Sequence, residues 1–548
     1  MKKGSAKTQL WSLAAIGIVV FLSTLFLTQG NGLYISPDES ANAFFAKQFS
    51  ETGTLQYFEP LNLKLADLLH PRSMVSLYGQ LVPSSFVGLP VLFGIVGFAF
   101  GEVAVNVVTP FLALLAVLAW YGLVKKVFDQ KIAWLSAVVL AFHPAWWYYQ
   151  ARSMMHNVLF VSLLIFGGYF LLRRPFVKHQ WLNELSSGLF FGLSIFVRGS
   201  EVIWIFLALL FLGIIYRSRL HFRTVVIFLG SIAIALLPML VLNQSTYGHP
   251  FEIGYTAKSQ LSETLIDPLG QKANQEQNKS LLLSFRTQVE EVLSPAFPFG
   301  LHPRAILRNV YSHGLALFWW LTILAVIGFL VFILKISRLK NRQIQGGYYL
   351  WFFLGITAWL AIMYGSWTFS DNPDPKAITI GNSYLRYWLP VFVLSTPLIA
   401  QGISWLAQLT KNKTTELIAV VVLLTACLAL STQVVFATPG DGLIQIKQTL
   451  IRSKEIQSKV LRLIEPGAVI IVDRADKIFF PHRSVLQPLR SDQTYKIMPK
   501  IAELTPLYYY GVTFPKVDFD YLNQERLENN LQIQLIETFD AESLYRIE

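Results

Sequence analysis

Two adjacent carboxylates stand in the string Ser36-Pro37-Asp38-Glu39-Ser40, just after the first long apolar run of the chain. Such a pair suits proton abstraction. One carboxylate within about 3 Å of a hydroxyl can take its proton as the oxygen attacks. The same string also reads as a helix start, with Asp38 or Glu39 capping a helix that begins near Ser40. The two readings are compatible, with Asp38 as the base and Glu39 orienting it or holding an acceptor. Arg198 and Arg386 each fall at the end of an apolar run. A charge there costs up to about 2.5–3.5 kcal/mol near the bilayer centre and less at the rim. That cost marks both for a functional role or for pairing, as of Arg198 with Glu201. Arg72, in His70-Pro71-Arg72, is a third cation. His143 reads as a satisfied helix-end histidine, and Arg304 and Arg308 as solvated or headgroup-facing side chains more than as site residues.

The elements that must position these residues are membrane helices. The chain has 548 residues, 53% hydrophobic and 14% charged, with a mean hydropathy of +0.47, too apolar for a soluble globular protein. Runs of about 17–25 apolar residues can cross a bilayer. They fall at 11–27, 103–124, 132–149, 155–172, 225–242, 315–334, 348–366, 387–405 and 417–436, with a shorter pair at 185–197 and 202–216. No small-residue cleavage site follows the first run, so it reads as a retained anchor. The single cysteine, Cys427, excludes an intrachain disulfide.

Lysine and arginine placement orients the chain. The loops holding Lys125-Lys126, Arg173-Arg174, Arg217, Lys335 to Arg342 and Lys411 share the cytoplasmic side with Lys2 and Lys3 only if 81–100 does not cross. That stretch carries Pro83, Gly88, Pro90, Gly94 and Gly97 and reads as interfacial or re-entrant. The expectation is about eleven spans in the cell membrane, with the N-terminus cytoplasmic. The net charge of +12 then anchors anionic lipid and marks no nucleic-acid partner. Trp146-Trp147-Tyr148-Tyr149 reads as an interfacial aromatic belt.

Three segments are expected outside: 30–102 with the acidic pair, 243–313, and everything after 436. The last reads as a small α/β domain, with a helix at 443–464, a buried strand at 468–472, and an alternating strand through Leu531, Ile533 and Leu535. Tyr508-Tyr509-Tyr510 reads as strand core. The domain has no glycine-rich nucleotide motif. It can serve as a lid, a brace or a docking surface.

The order of these features resembles the GT-C glycosyltransferases, most closely the bacterial relatives of protein O-mannosyltransferases and lipid A aminoarabinose transferases. The likeness rests on Asp38-Glu39 followed by Ala43, Phe44 and Ser50-Glu51-Thr52-Gly53, and on the basic turn after Gly122. It continues through Arg198-Gly199 between two short spans, Asn243 with Tyr247-Gly248-His249-Pro250 and Gly254-Tyr255, and Ser383-Tyr384-Leu385-Arg386-Tyr387-Trp388-Leu389-Pro390. It implies a mainly α, polytopic GT-C bundle over residues 1–436, with interfacial helices in the first outer loop and the α/β domain at 437–548.

The chemistry implied is transfer of a sugar from a polyprenyl-phosphate carrier to a hydroxyl of a glycan, lipid or protein on the extracytoplasmic face. Asp38 is then the base, with Glu39 beside it. Arg198, Arg386 and Arg72 are the cations for the departing phosphate. His156, Asn157, Tyr255 and Tyr384 are acceptor or supporting residues. Asn157 departs from the family pattern, which often has a second acid there. The resemblance implies no metal and no cofactor beyond the lipid-linked sugar. A transporter or lipid flippase is the reading from another class. Its usual internal repeats and midplane polar groups are missing from the sequence. Transfer of a whole oligosaccharide would keep the fold and change only the donor.

Overall fold

The computed structural model describes residues 3–28, 32–217, 221–257, 298–336, 343–369, 371, 377–410, 412–527 and 531–548. The middle of the 243–313 segment, the basic positions 338–342 and Lys411 lie outside the described residues. Seven described helices are long and apolar enough to cross a membrane, or up to nine if each of two bent pairs is one span. Two places separate the upper count of nine from the eleven expected spans, each with a local cause.

At 132–149 the apolar run is not one helix. It divides into Gln130–Ala141 and Pro144–Ala151. Pro144 has no N–H to continue a ladder and disfavours helical backbone at His143. The first piece, about 18 Å long, is shorter than a hydrocarbon core of about 30 Å. The second break is at Arg198-Gly199, where Trp181–Val197 and Gly199–Ile215 meet at a bend of 116°. Another pair, Pro303–Ala316 and Trp319–Lys335, bends by 95°. The stretch 81–100 is likewise no single helix. It starts in a strand and ends in the 13-residue helix Gly88–Phe100.

The chain forms two compact units. One comprises Met1–Thr28, Asn106–Pro238 and Asp267–Gln445. The other comprises Gln29–Val105, Met239–Ile266 and Ile446–Glu548. In the first, Trp319–Ile336 and Leu389–Gln408 approach through glycine. A Cβ on Gly328 would lie 1.8 Å from the Leu398 carbonyl oxygen, and one on Gly402 would lie 2.1 Å from that of Leu324. Small residues permit this backbone approach where lipid supplies no hydrophobic drive. Trp146, Trp147, Tyr148 and Tyr149 are all buried in this unit, so they form no interfacial belt. The Trp147 indole donates to Ser23 Oγ at 3.0 Å, and the Tyr149 hydroxyl donates to the Asn382 carbonyl at 2.9 Å. Starting a new helix at Pro144 turns the four rings among the helices.

Helix α1, Lys3–Thr28, opens the first unit, and the second begins with helix α2, Pro37–Thr52, packed on helix α3, Gly88–Phe100. Between them run three short strands, β1 (Tyr57–Phe58), β2 (Met74–Leu77) and β3 (Gln80–Pro83), paired antiparallel in the order β1-β3-β2. The C-terminal part supplies β4 (Val469–Val472), β5 (Ser484–Leu486), β6 (Leu507–Val512), β7 (Ile533–Phe539) and β8 (Glu542–Ile547). They form one sheet ordered β5-β4-β6-β8-β7, with β5, β4 and β6 parallel and the rest antiparallel. The unbroken apolar run of β4 follows from its central place. Val469 and Ile471 enter one core, and Ile470 and Val472 the other. A strand buried on both faces has no polar alternation. The alternation expected around Leu535 stops early. Ile533 is buried but Leu535 is exposed, on an edge strand with a register shift between Leu535 and Glu537.

The first core contains side chains from far up the chain. Leu65 and Leu69 pack with Val469, Ile471, Leu486 and Ile501. Asn62 closes the segment that presents them, donating to the Leu69 carbonyl at 2.9 Å and accepting from the Leu69 N–H at 2.8 Å. Leu69→Ala should therefore lower stability by about 2–5 kcal/mol, read as a fall in the thermal unfolding midpoint of the detergent-solubilised protein. A wild-type midpoint would show that this contact carries no weight.

Candidate active site

Helix α2 starts three residues earlier than the sequence indicated, and Ser36 is its N-cap. Ser36 is extended (φ −108°, ψ 144°), Pro37 takes the first helical position, and Asp38 and Glu39 follow. A capping box closes the end. Ser36 Oγ accepts from the Asp38 N–H at 3.2 Å, and Glu39 Oε2 accepts from the Ser36 N–H at 3.2 Å. Glu39 is buried and Asp38 half-buried. The two carboxylates thus divide their work: Glu39 holds the helix start, and Asp38 Oδ1 accepts from Ser73 Oγ at 2.6 Å. The positive end of the helix dipole favours an anion at Asp38. A half-buried carboxylate held by a short hydrogen bond can receive a proton without first being reoriented.

Arg72, expected as a phosphate cation, is engaged within the protein. Its Nε and Nη2 donate to Asp476 Oδ1 at 2.9 and 2.6 Å, its backbone N–H donates to Asp476 Oδ2 at 2.9 Å, and Nη2 also reaches the Arg474 carbonyl at 2.7 Å. Such a fork on a carboxylate is strong and geometrically selective.

Arg198 is likewise engaged within the protein. It is buried, and its Nη2 and Nε donate to Glu201 Oε1 at 2.6 and 3.2 Å. Tyr364 Oη accepts from Arg198 at 3.0 Å and itself donates to Glu201, whose second oxygen accepts from Trp204 Nε1 at 2.6 Å. The pairing reading is the one that the geometry supports. The bend of 116° has this network at its corner.

Arg386 is placed differently. It is half-buried on the helix Ser383–Tyr387, its Nη1 lies 2.9 Å from Met155 Sδ, and it stacks over the Tyr387 ring at 5.0 Å. Met155 is hydrogen-bonded back to the Arg152 carbonyl at 3.0 Å, and Arg152 lies over the Tyr148 ring at 5.8 Å. Arg152 and Arg386 are thus joined through Met155. Sequence reasoning passed over Arg152 because nothing local distinguishes it from a loop arginine. Its only signal was a cation between two apolar runs.

The other expected site residues separate. His156 and Asn157 open the helix His156–Gly168, both buried, one turn beyond Arg152. Tyr255 is half-exposed and sets its ring edge-on to Phe86 at 5.4 Å. Tyr384 is a core residue. Its hydroxyl accepts from Asn309 Nδ2 at 2.7 Å and donates to the Trp367 carbonyl. His143 is buried between the rings of Phe392 and Phe318. Among the described residues no three His, Cys, Asp or Glu side chains converge as a metal would require.

The architecture has known counterparts. The oligosaccharyltransferase of Archaeoglobus fulgidus in its apo form superposes with a TM-score of 0.53 at 14% identity, over 93% of this chain and 70% of that one. The fold is that of the GT-C glycosyltransferases. Apo ArnT from Cupriavidus metallidurans shares this GT-C fold over 99% of this chain and 98% of its own, with a TM-score of 0.51 and 10% identity. The archaeal enzyme AglB in complex with an inhibitory peptide and a dolichol-phosphate gives 0.52 at 13% identity, over 92% and 69%. Residues 91–242 match the family of dolichyl-phosphate-mannose-protein mannosyltransferases. That stretch of the GT-C fold includes Arg152, His156, Asn157 and Arg198, and excludes Asp38 and Arg386. No curated protein matches the chain by sequence.

Proposed function

We propose that this chain is a multi-pass membrane glycosyltransferase that moves one hexosyl or pentosyl unit from a polyprenyl-phosphate carrier to a hydroxyl on the extracytoplasmic face of the cell membrane. The observation that carries the reading is the Asp38 carboxylate, half-buried at a capped helix start and hydrogen-bonded by Ser73, in a GT-C fold. The acceptor hydroxyl gives its proton to Asp38 as its oxygen bonds to the anomeric carbon. The bond from that carbon to the phosphate oxygen breaks, and the polyprenyl phosphate leaves with the electron pair. One displacement inverts the anomeric configuration. Arg386 and Arg152 stabilise the charge that grows on the phosphate. The reading assigns these roles to side chains and needs no metal. Binding of dolichol-phosphate by AglB supports a lipid-phosphate donor here. The match of residues 91–242 to a mannosyltransferase family favours transfer over transport.

The test is mass spectrometry of envelope glycans and polyprenyl-linked sugars from cells with and without the protein. The expected result is a glycan, lipid or protein that lacks one sugar in the deleted cells, with the matching polyprenyl-phosphate sugar accumulating. Accumulation of a lipid-linked oligosaccharide would support the second reading, whole-glycan transfer, which the likeness to the archaeal oligosaccharyltransferase keeps in view. No change in either pool would remove both. Arg386→Ala should weaken binding of undecaprenyl phosphate by about 10–100-fold, as loss of charge-assisted contacts does, and leave the acceptor KM in place. A raised acceptor KM with unchanged lipid-phosphate binding would misplace the phosphate.

A further inference from the structure

We infer that the C-terminal sheet domain is the clamp that positions the catalytic base, with Asp476 and Lys477 as its positioning residues; this rests on the reading of Asp38 as general base. The sheet has the start of a doubly wound order. From β4 the chain moves to β5 on one side and returns to β6 on the other. Ligands of such sheets lie outside the carboxyl ends of the strands, beside the strand where the order reverses. Here that edge receives the chain's own first loop. Asp473, directly after β4, is used internally, accepting from the Leu489 N–H at 3.1 Å and the Tyr509 hydroxyl at 2.8 Å. Asp476, buried in the short helix Asp476–Phe479, takes Arg72.

Two consecutive residues of that helix reach Asp38 by two routes. Asp476 fixes the backbone and guanidinium of Arg72. The next residue, Ser73, is held at φ +62° and donates to Asp38 Oδ1 at 2.6 Å. A side chain other than glycine in that region stores strain and persists only where its surroundings hold it. Arg72 holds Ser73 on its amino side, and Ser84 N–H bonds its carbonyl at 3.2 Å on the other. Lys477 donates to the Ile35 carbonyl, next to Ser36, the residue that caps α2. One route aims the carboxylate and the other anchors the helix that carries it. Flanking contacts repeat the arrangement. Phe480 meets Phe44 of α2 at 4.8 Å, and Ser484 Oγ donates to Glu59 Oε2 at 2.6 Å.

Stability alone does not account for the Arg72–Asp476 pair. Leu65 and Leu69 already bind the loop to the sheet. A pair with one buried carboxylate and a one-third-exposed guanidinium adds little net stability once desolvation is counted. What it does supply is direction at Ser73.

The test reads Asp38 directly and needs no sugar donor. Full-length protein in nanodiscs is treated with dicyclohexylcarbodiimide, which labels protonated carboxyl groups, and the Asp38 peptide is followed by mass spectrometry across pH. The charged groups on the elements around Asp38 are Glu39, Lys47 and Glu51 on α2, Glu59, Lys64, Asp67, His70 and Arg72 on the loop, and Asp476 and Lys477 on the short helix. The Ser73 hydroxyl favours the ionised carboxylate, so its loss raises the pH at which Asp38 protonates. Ser73→Ala should move the labelling midpoint up by about one pH unit. Asp476→Asn should do the same, and the double variant should go no further than either single one. Glu465→Gln, before the amino end of β4 and away from the carboxyl end that leads to Asp476, should leave the midpoint alone. If Asp476→Asn yields no folded protein, Lys477→Met carries the test with the same upward shift. An unmoved midpoint in Asp476→Asn, or in Lys477→Met where that variant carries the test, overturns the clamp. Asp38→Asn in a transfer assay separates the two claims. An active Asp38→Asn with shifted labelling removes the base and keeps the clamp, and an inactive one with unmoved labelling removes the clamp alone.

Discussion

Asp38→Asn is expected to lower sugar transfer by about 10²–10⁴-fold, the usual contribution of a positioned general base, while the protein still folds and still binds undecaprenyl phosphate. The substitution is nearly isosteric. Ser73 Oγ can donate to the amide oxygen as it does to the carboxylate, and the capping box is untouched because Glu39, not Asp38, supplies its acceptor. The helix start therefore survives and only the proton acceptor is lost. The measurement is transfer from polyprenyl-phosphate sugar to acceptor, beside thermal unfolding and lipid-phosphate binding on the same preparation. Near-full activity would remove Asp38 as the base. Glu39→Gln gives the contrast. An amide oxygen still accepts from Ser36, so its rate should stay much closer to wild type.

Arg198→Ala has the largest expected effect on stability, about 3–5 kcal/mol. Removing the guanidinium leaves the Glu201 carboxylate buried with Tyr364, Trp204 and, at 3.5 Å, the Ser200 hydroxyl as donors. A buried charge without its counter-ion costs far more than a lost surface pair. The unfolding midpoint of the purified protein should fall sharply. Arg198→Met with Glu201→Leu should recover most of it, since replacing both partners by apolar groups of similar volume is often near neutral. A single variant as stable as wild type would show that the network is solvated. Stable protein with selectively weakened lipid-phosphate binding would return Arg198 to the phosphate role.

The acidic pair shows how far sequence reading reaches. Ser-Pro-Asp-Glu is a local signal, and it announced both a cap and a proton acceptor. Which carboxylate does which depends on Ser73, 35 residues away, and no local pattern encodes that. The arginines show the same limit. The cost of a charge beside an apolar run was legible for Arg198 and Arg386, but the cost is met equally by a ligand and by a partner side chain. Glu201 stood three residues from Arg198, close enough for the pairing to be anticipated. Asp476 stood 404 residues from Arg72, beyond any spacing argument. At Trp146 to Tyr149, composition indicated a belt, and Pro144, two residues earlier, was the overlooked sign that the helix restarts and turns inward.

By itself the sequence determined the class of molecule. Apolar runs of spanning length require internally hydrogen-bonded helices in a bilayer, the order of motifs along them resembles that of the GT-C glycosyltransferases, and the unbroken apolar β4 requires a sheet covered on both faces. These follow from composition and period, which are local. Tertiary structure decided the partners. It joined the loop carrying Asp38 to the C-terminal sheet in one core through Leu65 and Leu69, and bound Arg72 to Asp476. It paired Arg198 with Glu201 and Tyr364, and brought Arg152 near Arg386 through Met155. A charged side chain accepts any complementary group of the right shape. Which group it meets is set by chain packing, not by the residue's own neighbours in sequence.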